Sequence, residues 1–335
     1  MDKKKLLINL PQGYFEHEML QSRFATLEKE YDVKRTSCNT HEEIRPFLSW
    51  AEAILMWSWP AITAEDFEIA TNLKFLGQIN TTTTTAEPAL KKGIVLSEAR
   101  HCWSPAVSEM ALTLILNGLR KVSQFHIEMR QGVESWVDAF PTDINPLERQ
   151  LAGRKVGIIG FGRIGQGLAD LLSPFKVQLQ IFDPFLPESV AKGYGAKMSS
   201  VDEISKSCEV IVLCAANAEN ASKTFNAGHI ASMLPNAVLV NVGRSMLVDM
   251  DALLVRLKKG DITAMLDVFD TEPLEADSPF RALSNAYLSP HRSGGIMESV
   301  LRAFDMLSGD MELYFAGEKL KYSVNESMLS CFSKF

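Results

Sequence analysis

The chain has 335 residues, of which 46% are hydrophobic and 22% charged, so it is long enough for about two domains and has enough apolar material for packed cores. Its net charge of −7, from 34 basic and 41 acidic residues, argues against nucleic acid or an anionic membrane as the main partner. The five cysteines form no C-x-x-C pair, and no apolar run could serve as a signal peptide or span a bilayer, so we expect a reduced, cytoplasmic protein.

The first hundred residues alternate between strand-like and helix-like segments. Charged stretches with helical spacing, at 16–31 and 65–72, separate short apolar runs. Alternation of this kind predicts βα units on a parallel sheet. The strand-like runs lie at 5–10, 51–57, 73–79 and 93–98.

A run of five threonines, in the stretch "INTTTTTAEP" at 79–88, is the one low-complexity segment of the sequence. Threonine is stiff at χ1 and favours strands, but its hydroxyl and backbone N–H groups also suit an anion. Taken alone, the stretch leaves three interpretations open: a linker, a strand, or part of a functional site.

A long helix is predicted from Ser104 to Gly132. Ser104 suits the N-cap, Pro105 suits the first helical position, and Gly132 suits the end. The apolar face is broad, which predicts that part of it is buried against another domain or subunit. The segment 132–153, with Pro141 and Pro146, is typical of a surface connection.

The alternation of strands and helices resumes after Arg154. Ser200 and Glu203 form a capping-box pattern at the start of one helix. The last segment, 294–318, is a predicted helix that could return to the first domain. Five strand candidates lie at 155–160, 177–183, 208–214, 236–243 and 262–269.

A glycine-rich loop between a strand and a helix predicts a dinucleotide site. Gly160 allows a tight turn, Gly162 lets a pyrophosphate approach the backbone, and Gly165 lets helix and strand pack closely. Asp183 closes the next strand 18 residues after Gly165 (183 − 165), near the expected spacing. It would accept from the ribose hydroxyls and repel a 2′-phosphate, so we expect NAD rather than NADP. A glycine-rich turn without a ligand is the alternative.

Three motifs beyond this loop carry a resemblance to a known family. They are "LVNVGRSMLVD" at 239–249, "LDVFDTEP" at 266–273 and "SPHRSGG" at 289–295. In this order and at these distances they resemble the D-isomer-specific 2-hydroxyacid dehydrogenases, and the resemblance extends over nearly the whole chain.

The resemblance implies three catalytic residues, Arg244, Glu272 and His291. Arg244 would bind the substrate carboxylate and polarise the ketone, because its guanidinium is always charged and planar. His291 would exchange the proton, and Glu272 would favour the imidazolium and hold the ring. The alternatives are a surface salt-bridge arginine, an ordinary turn histidine and a solvated loop glutamate.

The implied NAD site is built from both the glycine loop and the later motifs. Asp267 would hold the nicotinamide carboxamide. At Cys214–Ala218 the sequence departs from the family's His-x-Pro-Leu-Thr, so we expect backbone rather than side-chain contacts there. His101 and Cys102 are adjacent rather than metal-spaced, and no metal site is predicted. The cofactor-binding set is Gly160, Gly162, Arg163, Ile164, Gly165, Asp183, Cys214, Val242, Gly243, Arg244, Asp267, His291 and Gly294.

The implied fold is α/β, with two doubly wound parallel-sheet domains. A Rossmann NAD-binding domain, 102–294, would be inserted into a flavodoxin-like substrate domain built from 1–101 and 295–335. Catalysis is expected in the cleft between them, with hinge motion near residues 100 and 293. The resemblance also implies a homodimer that forms through the cofactor domain.

The threonine run falls where the family has a glycine-rich loop whose amides hold the substrate carboxylate. Residues 78–85 replace those glycines here, in a shorter connection. We therefore expect an altered substrate loop with its tight bend at Asn80, and with the amides or hydroxyls of Thr81 and Thr82 facing the substrate. Trp57 and Trp59 would line the remaining space, or pack in the core. These features favour a 2-keto acid larger than pyruvate with an apolar or aromatic side chain.

The predicted function is NAD-dependent interconversion of a 2-keto acid and its D-2-hydroxy acid, with His291 as acid and base. Two alternatives share the fold. One is an NAD(H)-sensing binding protein like the C-terminal-binding corepressors, and the other is a formate or phosphonate oxidiser of the same family. The sequence does not name the substrate.

Overall fold

The computed structural model describes residues 2–215 and 222–332 and separates into two compact units. The first unit comprises Met1–Cys102 and Met297–Phe335, and the second comprises Trp103–Ile296. Each unit is an α/β structure built on a parallel sheet.

The first unit contains a five-stranded parallel sheet in the order β2-β1-β3-β4-β5. The buried strands form because their side chains are apolar on both faces, as a sheet covered on both sides requires. Leu7, Ile54, Leu76 and Leu96 from four of them enter one core cluster. The strands are β1 (Lys4–Asn9), β2 (Tyr31–Thr36), β3 (Ala53–Met56), β4 (Phe75–Gln78) and β5 (Val95–Glu98).

The described residues of the first unit also form six α-helices. Capping boxes begin α3 and α4, from Thr40 with Glu43 and from Thr63 with Asp66. Helix α13 packs on β4, where a Cβ at Gly77 would lie 3.3 Å from the Cβ of Leu307. The helices are α1 (Gln12–Glu16), α2 (Glu18–Glu30), α3 (His41–Leu48), α4 (Ala64–Ile69), α5 (Thr83–Lys91) and α13 (Met297–Ala316), with 3-10 turns at Arg100–Trp103 and Glu326–Cys331.

The second unit contains a seven-stranded parallel sheet in the order β12-β11-β10-β9-β6-β7-β8. The five strand candidates of the sequence are confirmed as β6, β7, β9, β10 and β11. The strands are β6 (Lys155–Ile159), β7 (Gln178–Phe182), β8 (Lys197–Met198), β9 (Val210–Leu213), β10 (Val238–Asn241), β11 (Thr263–Leu266) and β12 (Ala286–Leu288).

Helices cover both faces of the second sheet, in two core clusters. The predicted capping box of Ser200 and Glu203 is confirmed at the start of α10. In the described part of the chain, no helix is long and apolar enough to cross a membrane. The helices are α6 (Ser104–Arg120), α7 (Val122–Arg130), α8 (Arg163–Leu172), α9 (Glu188–Gly193), α10 (Val201–Ser207), α11 (Ala227–Ser232) and α12 (Met250–Lys258), with 3-10 turns at Ser173–Phe175, Ser245–Leu247 and Pro279–Ala282.

The single long helix predicted from Ser104 to Gly132 is wrong. Lys121 adopts a left-handed conformation with φ +54°, which ends α6 and starts α7 in a new direction. Trp103, not Ser104, is the N-cap residue. Ala111, Ile115 and other apolar residues of α6 pack on the unit's own sheet, so the expected burial against another domain or subunit does not apply to this face.

Four cysteine side chains, those of Cys38, Cys102, Cys208 and Cys214, are described, and all are buried and free of disulfides. Burial raises the pKa of Cys102 and Cys214 to about 12 and the pKa of Cys208 to about 11. Thiols of this kind stay protonated at neutral pH, so these three are not poised as nucleophiles.

Candidate functional site

The glycine loop follows β6 directly and turns the chain into α8. Gly160 has φ +89°, and a Cβ at this position would lie 2.4 Å from the Cα of Ala215. Both observations require glycine here, because a side chain would be strained and would clash with backbone. A Cβ at Gly165 would lie 2.6 Å from the carbonyl oxygen of Gly160, so helix and turn are in close contact.

The start of α8 has room for an anion. Gly162 is its N-cap residue, and a Cβ built at Gly162 meets no atom within 4 Å. The first amides of a helix have no intrahelical acceptor, and the helix dipole places positive charge at this end. The residues present therefore fit the pyrophosphate of a dinucleotide at the N-terminus of α8.

Asp183 lies beside this loop because β7 pairs with β6. Its Oδ2 accepts from the Phe161 amide at 2.8 Å, and its Oδ1 accepts from the Phe185 amide at 2.9 Å. These two bonds fix the carboxylate next to the glycine loop. Each carboxylate oxygen retains a further lone pair that could accept from a ribose hydroxyl.

His291 and Glu272 form a hydrogen-bonded pair, with His291 Nδ1 2.7 Å from Glu272 Oε2. Glu272 Oε1 accepts from the Phe269 amide at 3.0 Å, so both carboxylate oxygens are engaged. Burial raises the pKa of Glu272, but the bonds from His291 and Phe269 and the nearby charges of His291 and Arg244 outweigh it, and the pKa is lowered overall. Glu272 is therefore ionised at neutral pH.

The turn that carries His291 is held by Asp267, which has no exposed surface. Asp267 accepts from Ser289 Oγ at 2.5 Å, from the Arg292 amide at 3.0 Å and from the Ser293 amide at 2.9 Å. The His291 amide also donates to the Asp267 carbonyl at 2.9 Å. The motif predicted a contact with the cofactor for Asp267, and this contact stays a prediction. The structure adds that Asp267 fixes the histidine turn.

His291 itself has φ +50°, in the left-handed region that non-glycine residues rarely adopt. This conformation costs on the order of 1–3 kcal/mol. It is held by the hydrogen bonds that the His291 amide donates to the carbonyl oxygens of Asp267 and Ser289.

Arg244 follows β10 and is exposed. Asn241, fully buried at the end of that strand, shapes the turn: its Nδ2 donates to the Arg244 carbonyl at 3.0 Å, and its Oδ1 accepts from the Gly243 amide at 3.1 Å. Arg244 Nη1 donates to the Gly243 carbonyl at 2.8 Å. Sequence analysis missed Asn241, although an asparagine at the end of an apolar strand is a signal for such a turn.

The remaining predicted cofactor residues lie at or near the carboxyl edge of the second sheet, where open α/β sheets bind ligands. A Cβ at Gly243 would lie 3.0 Å from the carbonyl oxygen of Ala215, so the ends of β9 and β10 approach closely. Cys214 and Val242 are buried, Arg163 is exposed, and Ile164 is half-buried. Gly294 packs beside Trp103. Residues 216–218 of the segment that departs from the family lie outside the described residues.

The threonine run is neither a linker nor a strand, and the predicted loop at 78–85 is wrong at both ends. Gln78 belongs to β4, and Thr83 begins α5, so the connection is only residues 79–82. Asn80 lies in the bend but its φ is not in the left-handed region, so the predicted conformation is also wrong. The helix begins early enough that the chain turns without a left-handed residue.

The threonine hydroxyls of this connection are turned inward. Thr81 and Thr82 are 6% and 5% exposed, and Thr81 Oγ1 donates to Gln78 Oε1 at 2.7 Å. Thr82 is the N-cap of α5 but makes no side-chain capping bond. Any contact of this loop with a substrate would therefore rely on its amides rather than on the Thr81 hydroxyl.

The two tryptophans at 57 and 59 are not core residues, so the alternative of simple core packing is wrong. Trp59 is 43% exposed, and Trp57 is half-buried. Trp57 stacks on Tyr14, with ring centroids 5.4 Å apart and planes at 16°. Trp57 and Trp59 are also 5.4 Å apart, at 56°. Sequence analysis missed Tyr14.

Comparisons with known proteins identify the second unit. Residues 112–293 match the model of the D-isomer specific 2-hydroxyacid dehydrogenase, NAD binding domain. The chain is 28% identical over 303 residues to D-3-phosphoglycerate dehydrogenase of Methanocaldococcus jannaschii, covering 89% of this chain and 56% of that relative. It is 27% identical over 271 residues to glyoxylate reductase of Korarchaeum cryptofilum, covering 80% of this chain and 81% of that relative.

The fold has counterparts among solved structures. A phosphoglycerate oxidoreductase from Rhizobium etli matches with a TM-score of 0.81 at 24% identity, covering 97% of this chain and 99% of that one. At this identity the match supports the fold alone. The chain spans little more than half the length of several curated relatives that it matches.

Proposed function

Because the chain belongs to the D-isomer specific 2-hydroxyacid dehydrogenase family and binds NAD, we propose that it interconverts a 2-keto acid and its D-2-hydroxy acid. The observation that carries this proposal is the hydrogen-bonded pair of His291 and Glu272, 2.7 Å apart, on a turn at the carboxyl edge of the nucleotide-binding sheet. Such a pair is suited to proton exchange with a substrate oxygen.

His291 is the proposed acid and base. Its Nδ1 is engaged with Glu272, so Nε2 is the atom that would give a proton to the ketone oxygen and take it back from the alcohol. Ionised Glu272 stabilises the imidazolium that donates in the reductive direction. NAD, when bound, supplies the hydride donor or acceptor.

Arg244 is the proposed carboxylate partner. Its exposed guanidinium can bind a planar carboxylate through two parallel hydrogen bonds and place positive charge near the ketone oxygen. The amides of Thr81 and Thr82, in the connection that also contains Asn80 and leads into α5, are the proposed second contact of the substrate.

The nucleotide would lie on the second unit. The N-terminus of α8 would hold the pyrophosphate, with Gly160, Gly162, Arg163, Ile164 and Gly165 around it. Asp183 would accept from the ribose. Cys214, Val242, Gly243, Asp267 and Gly294 would surround the remainder of the cofactor. We assign the unit Trp103–Ile296 to the nucleotide and the other unit to the substrate.

A screen of 2-keto acids with NADH tests the proposal, by following the loss of NADH absorbance. Steady turnover with at least one 2-keto acid is expected. NADH binding without turnover of any keto acid would favour the NAD(H)-sensing alternative, and turnover of NAD with formate or a phosphonate alone would favour the oxidiser.

The variant His291→Asn tests the proposed role of His291 as acid and base. Asparagine tolerates the left-handed conformation of position 291, so the turn should be kept while the proton donor is lost. We predict that kcat falls by roughly 10²- to 10⁴-fold, the range for general acid–base groups, while denaturant unfolding shows that the variant is still folded. A variant that keeps full keto-acid turnover would remove His291 from this role.

A further inference from the structure

Three aromatic side chains meet at one edge of the first unit. Tyr14 lies in α1, which follows β1, and Trp57 and Trp59 follow β3. Strands β1 and β3 are neighbours, and Asn9 pairs with Met56 where both end. The three rings therefore lie at the carboxyl edge of a parallel sheet, the edge where open α/β sheets bind small molecules.

The rings are held in place by each other and by buried backbone bonds. The near-parallel stack of Tyr14 and Trp57 fixes the Trp57 plane. The Trp57 amide donates to the Asn9 carbonyl at 3.2 Å, and Asn9 Nδ2 donates to the Trp59 carbonyl at 3.4 Å. Asn9 is 2% exposed and also binds Cys38 through both side-chain atoms.

This arrangement leaves an aromatic surface that is both ordered and accessible. Trp59, at 43% exposed, offers the largest open ring of the three. Large exposed rings are unfavourable in water, and a group of them on one surface marks a binding site more often than an isolated surface residue does. A preformed surface also loses little side-chain entropy when a ligand binds.

The connection 79–82, which holds the proposed second contact of the substrate, lies one strand away. Strand β4 follows β3 in the sheet, Met56 pairs with Gln78, and the Ile79 amide donates to the Met56 carbonyl at 3.2 Å. Adjacent strands are about 5 Å apart, so residues 79–82 and the tryptophans are neighbours on this edge. A molecule with a carboxylate at one end and an apolar ring at the other would match the two features.

We propose that Tyr14, Trp57 and Trp59 form an aromatic subsite that binds the side chain of an aryl-bearing 2-keto acid, an inference that rests on the proposed function. A cationic ligand fits less well. A cation binds to the open faces of aromatic rings, and the stacked faces of Tyr14 and Trp57 cover each other.

The test compares kcat/KM for phenylpyruvate with that for pyruvate, both with NADH. The unmodified protein should favour phenylpyruvate, and Trp59→Ala should lower the ratio of the two constants by about tenfold or more, the scale of one lost aromatic contact in a pocket. Tyr14→Leu should lower the same ratio, because Trp57 loses its stacking partner. Trp59→Leu, which keeps apolar volume, serves if the alanine variant does not fold.

Trp50→Ala is the matched control. Trp50 is half-buried and precedes β3 at the opposite end of the sheet, where the Lys34 ammonium lies 4.1 Å from its ring. This substitution also removes a tryptophan from the first unit, but the ratio should not change. A protein that favours pyruvate, or a ratio that Trp59→Ala leaves intact, would overturn the aromatic subsite while the proposed function stands.

A binding measurement separates the two proposals. If no 2-keto acid is turned over, the proposed function fails, and tryptophan fluorescence then decides the subsite without catalysis. Phenyllactate should change the emission at concentrations where lactate does not, and Trp59→Ala should abolish the difference. Equal responses to phenyllactate and lactate would end the proposal.

Discussion

At the scale of single residues, the chemistry of the site depends on how neighbours bias each charge. Glu272 has a lowered pKa in spite of its partial burial, because His291 and the Phe269 amide both stabilise the carboxylate. A folded-state pKa below the unfolded value means that the stabilisation is complete above the unfolded pKa and is lost as pH falls through the folded one. The contribution of Glu272 to folding stability should therefore be lost as the pH falls below the ordinary pKa of a glutamate.

Glu272→Gln tests this coupling. Without the carboxylate, the imidazolium of His291 loses its partner. Keto-acid reduction should therefore begin to decline at a lower pH, and hydroxy-acid oxidation should begin to rise at a correspondingly lower pH. The loss of stability between neutral and acid pH should also become shallower. The measurements are rate profiles with chemistry rate-limiting and denaturant unfolding at several pH values.

Glu275→Gln is the control for that comparison, since Glu275 is exposed and three residues along the same loop. Its rate profile should match that of the unmodified protein. Unmoved profiles in the Glu272→Gln protein would remove Glu272 from the acid–base role.

A second prediction at the residue scale concerns Asp183 and the preference for NADH over NADPH. Its carboxylate is held by two amides beside the glycine loop, so it cannot easily move away from a 2′-phosphate. We predict that NADH has the higher kcat/KM, and that Asp183→Ala narrows the preference by weakening NADH or admitting NADPH. Equal kcat/KM for the two cofactors in the unmodified protein would contradict the prediction.

At the scale of elements, apolar runs located the buried strands, and the strands that were missed are at sheet edges. β2, β8 and β12 each have a neighbour on one side only, so they need little apolar surface, and β2 alternates charged and half-buried residues. The break between α6 and α7 also left no signal, because Lys121 is neither glycine nor proline. Tertiary contacts decide such features, and a local pattern does not encode them.

In the candidate site, too, local sequence predicted some features and tertiary contacts decided others. The motifs pointed to Arg244, Glu272 and His291, whereas the supporting contacts of Asp267 and Tyr14 are with residues distant in sequence. A short motif specifies which side chain is present, but the packing around it specifies which neighbours hold it.

The start of α8 provides the prediction at this scale. A methyl group at Gly162 would meet no protein atom, so Gly162→Ala should fold with at most about 1 kcal/mol of lost stability from the poorer N-cap. It would, however, occupy the space proposed for the pyrophosphate, so the dissociation constant of NADH should rise about tenfold or more. Calorimetric titration measures it.

Gly309→Ala is the control for Gly162→Ala. Position 309 lies within α13, where an added Cβ also meets nothing within 4 Å, so NADH affinity should be unchanged. Gly165→Ala supplies the contrast, because its Cβ would lie 2.6 Å from the Gly160 carbonyl oxygen, and this protein should lose stability. If Gly162→Ala binds NADH as tightly as the unmodified protein, the pyrophosphate does not lie there.

At the scale of the whole molecule, the second unit has apolar side chains exposed along one continuous segment. No residue of α7 is buried, and the segment continues through residues 133–147. An exposed apolar stretch of this length is characteristic of an association surface. Its exposed large side chains are those of Val122, Ile127, Met129, Val133, Trp136, Val137, Phe140, Ile144 and Leu147.

We predict that this segment pairs two copies of the chain. The apolar face of α6 is already covered by its own sheet, so the surface proposed for association begins at α7 and continues through residue 147. Trp136→Glu combined with Phe140→Glu should convert a dimer into a monomer, because each places a charge on a surface that a partner would desolvate. Val255→Glu is the control, since Val255 is 61% exposed on α12, outside the segment. Sedimentation equilibrium measures the mass: a dimer that persists in the double variant, or an unmodified protein that is monomeric at all concentrations, would contradict the prediction.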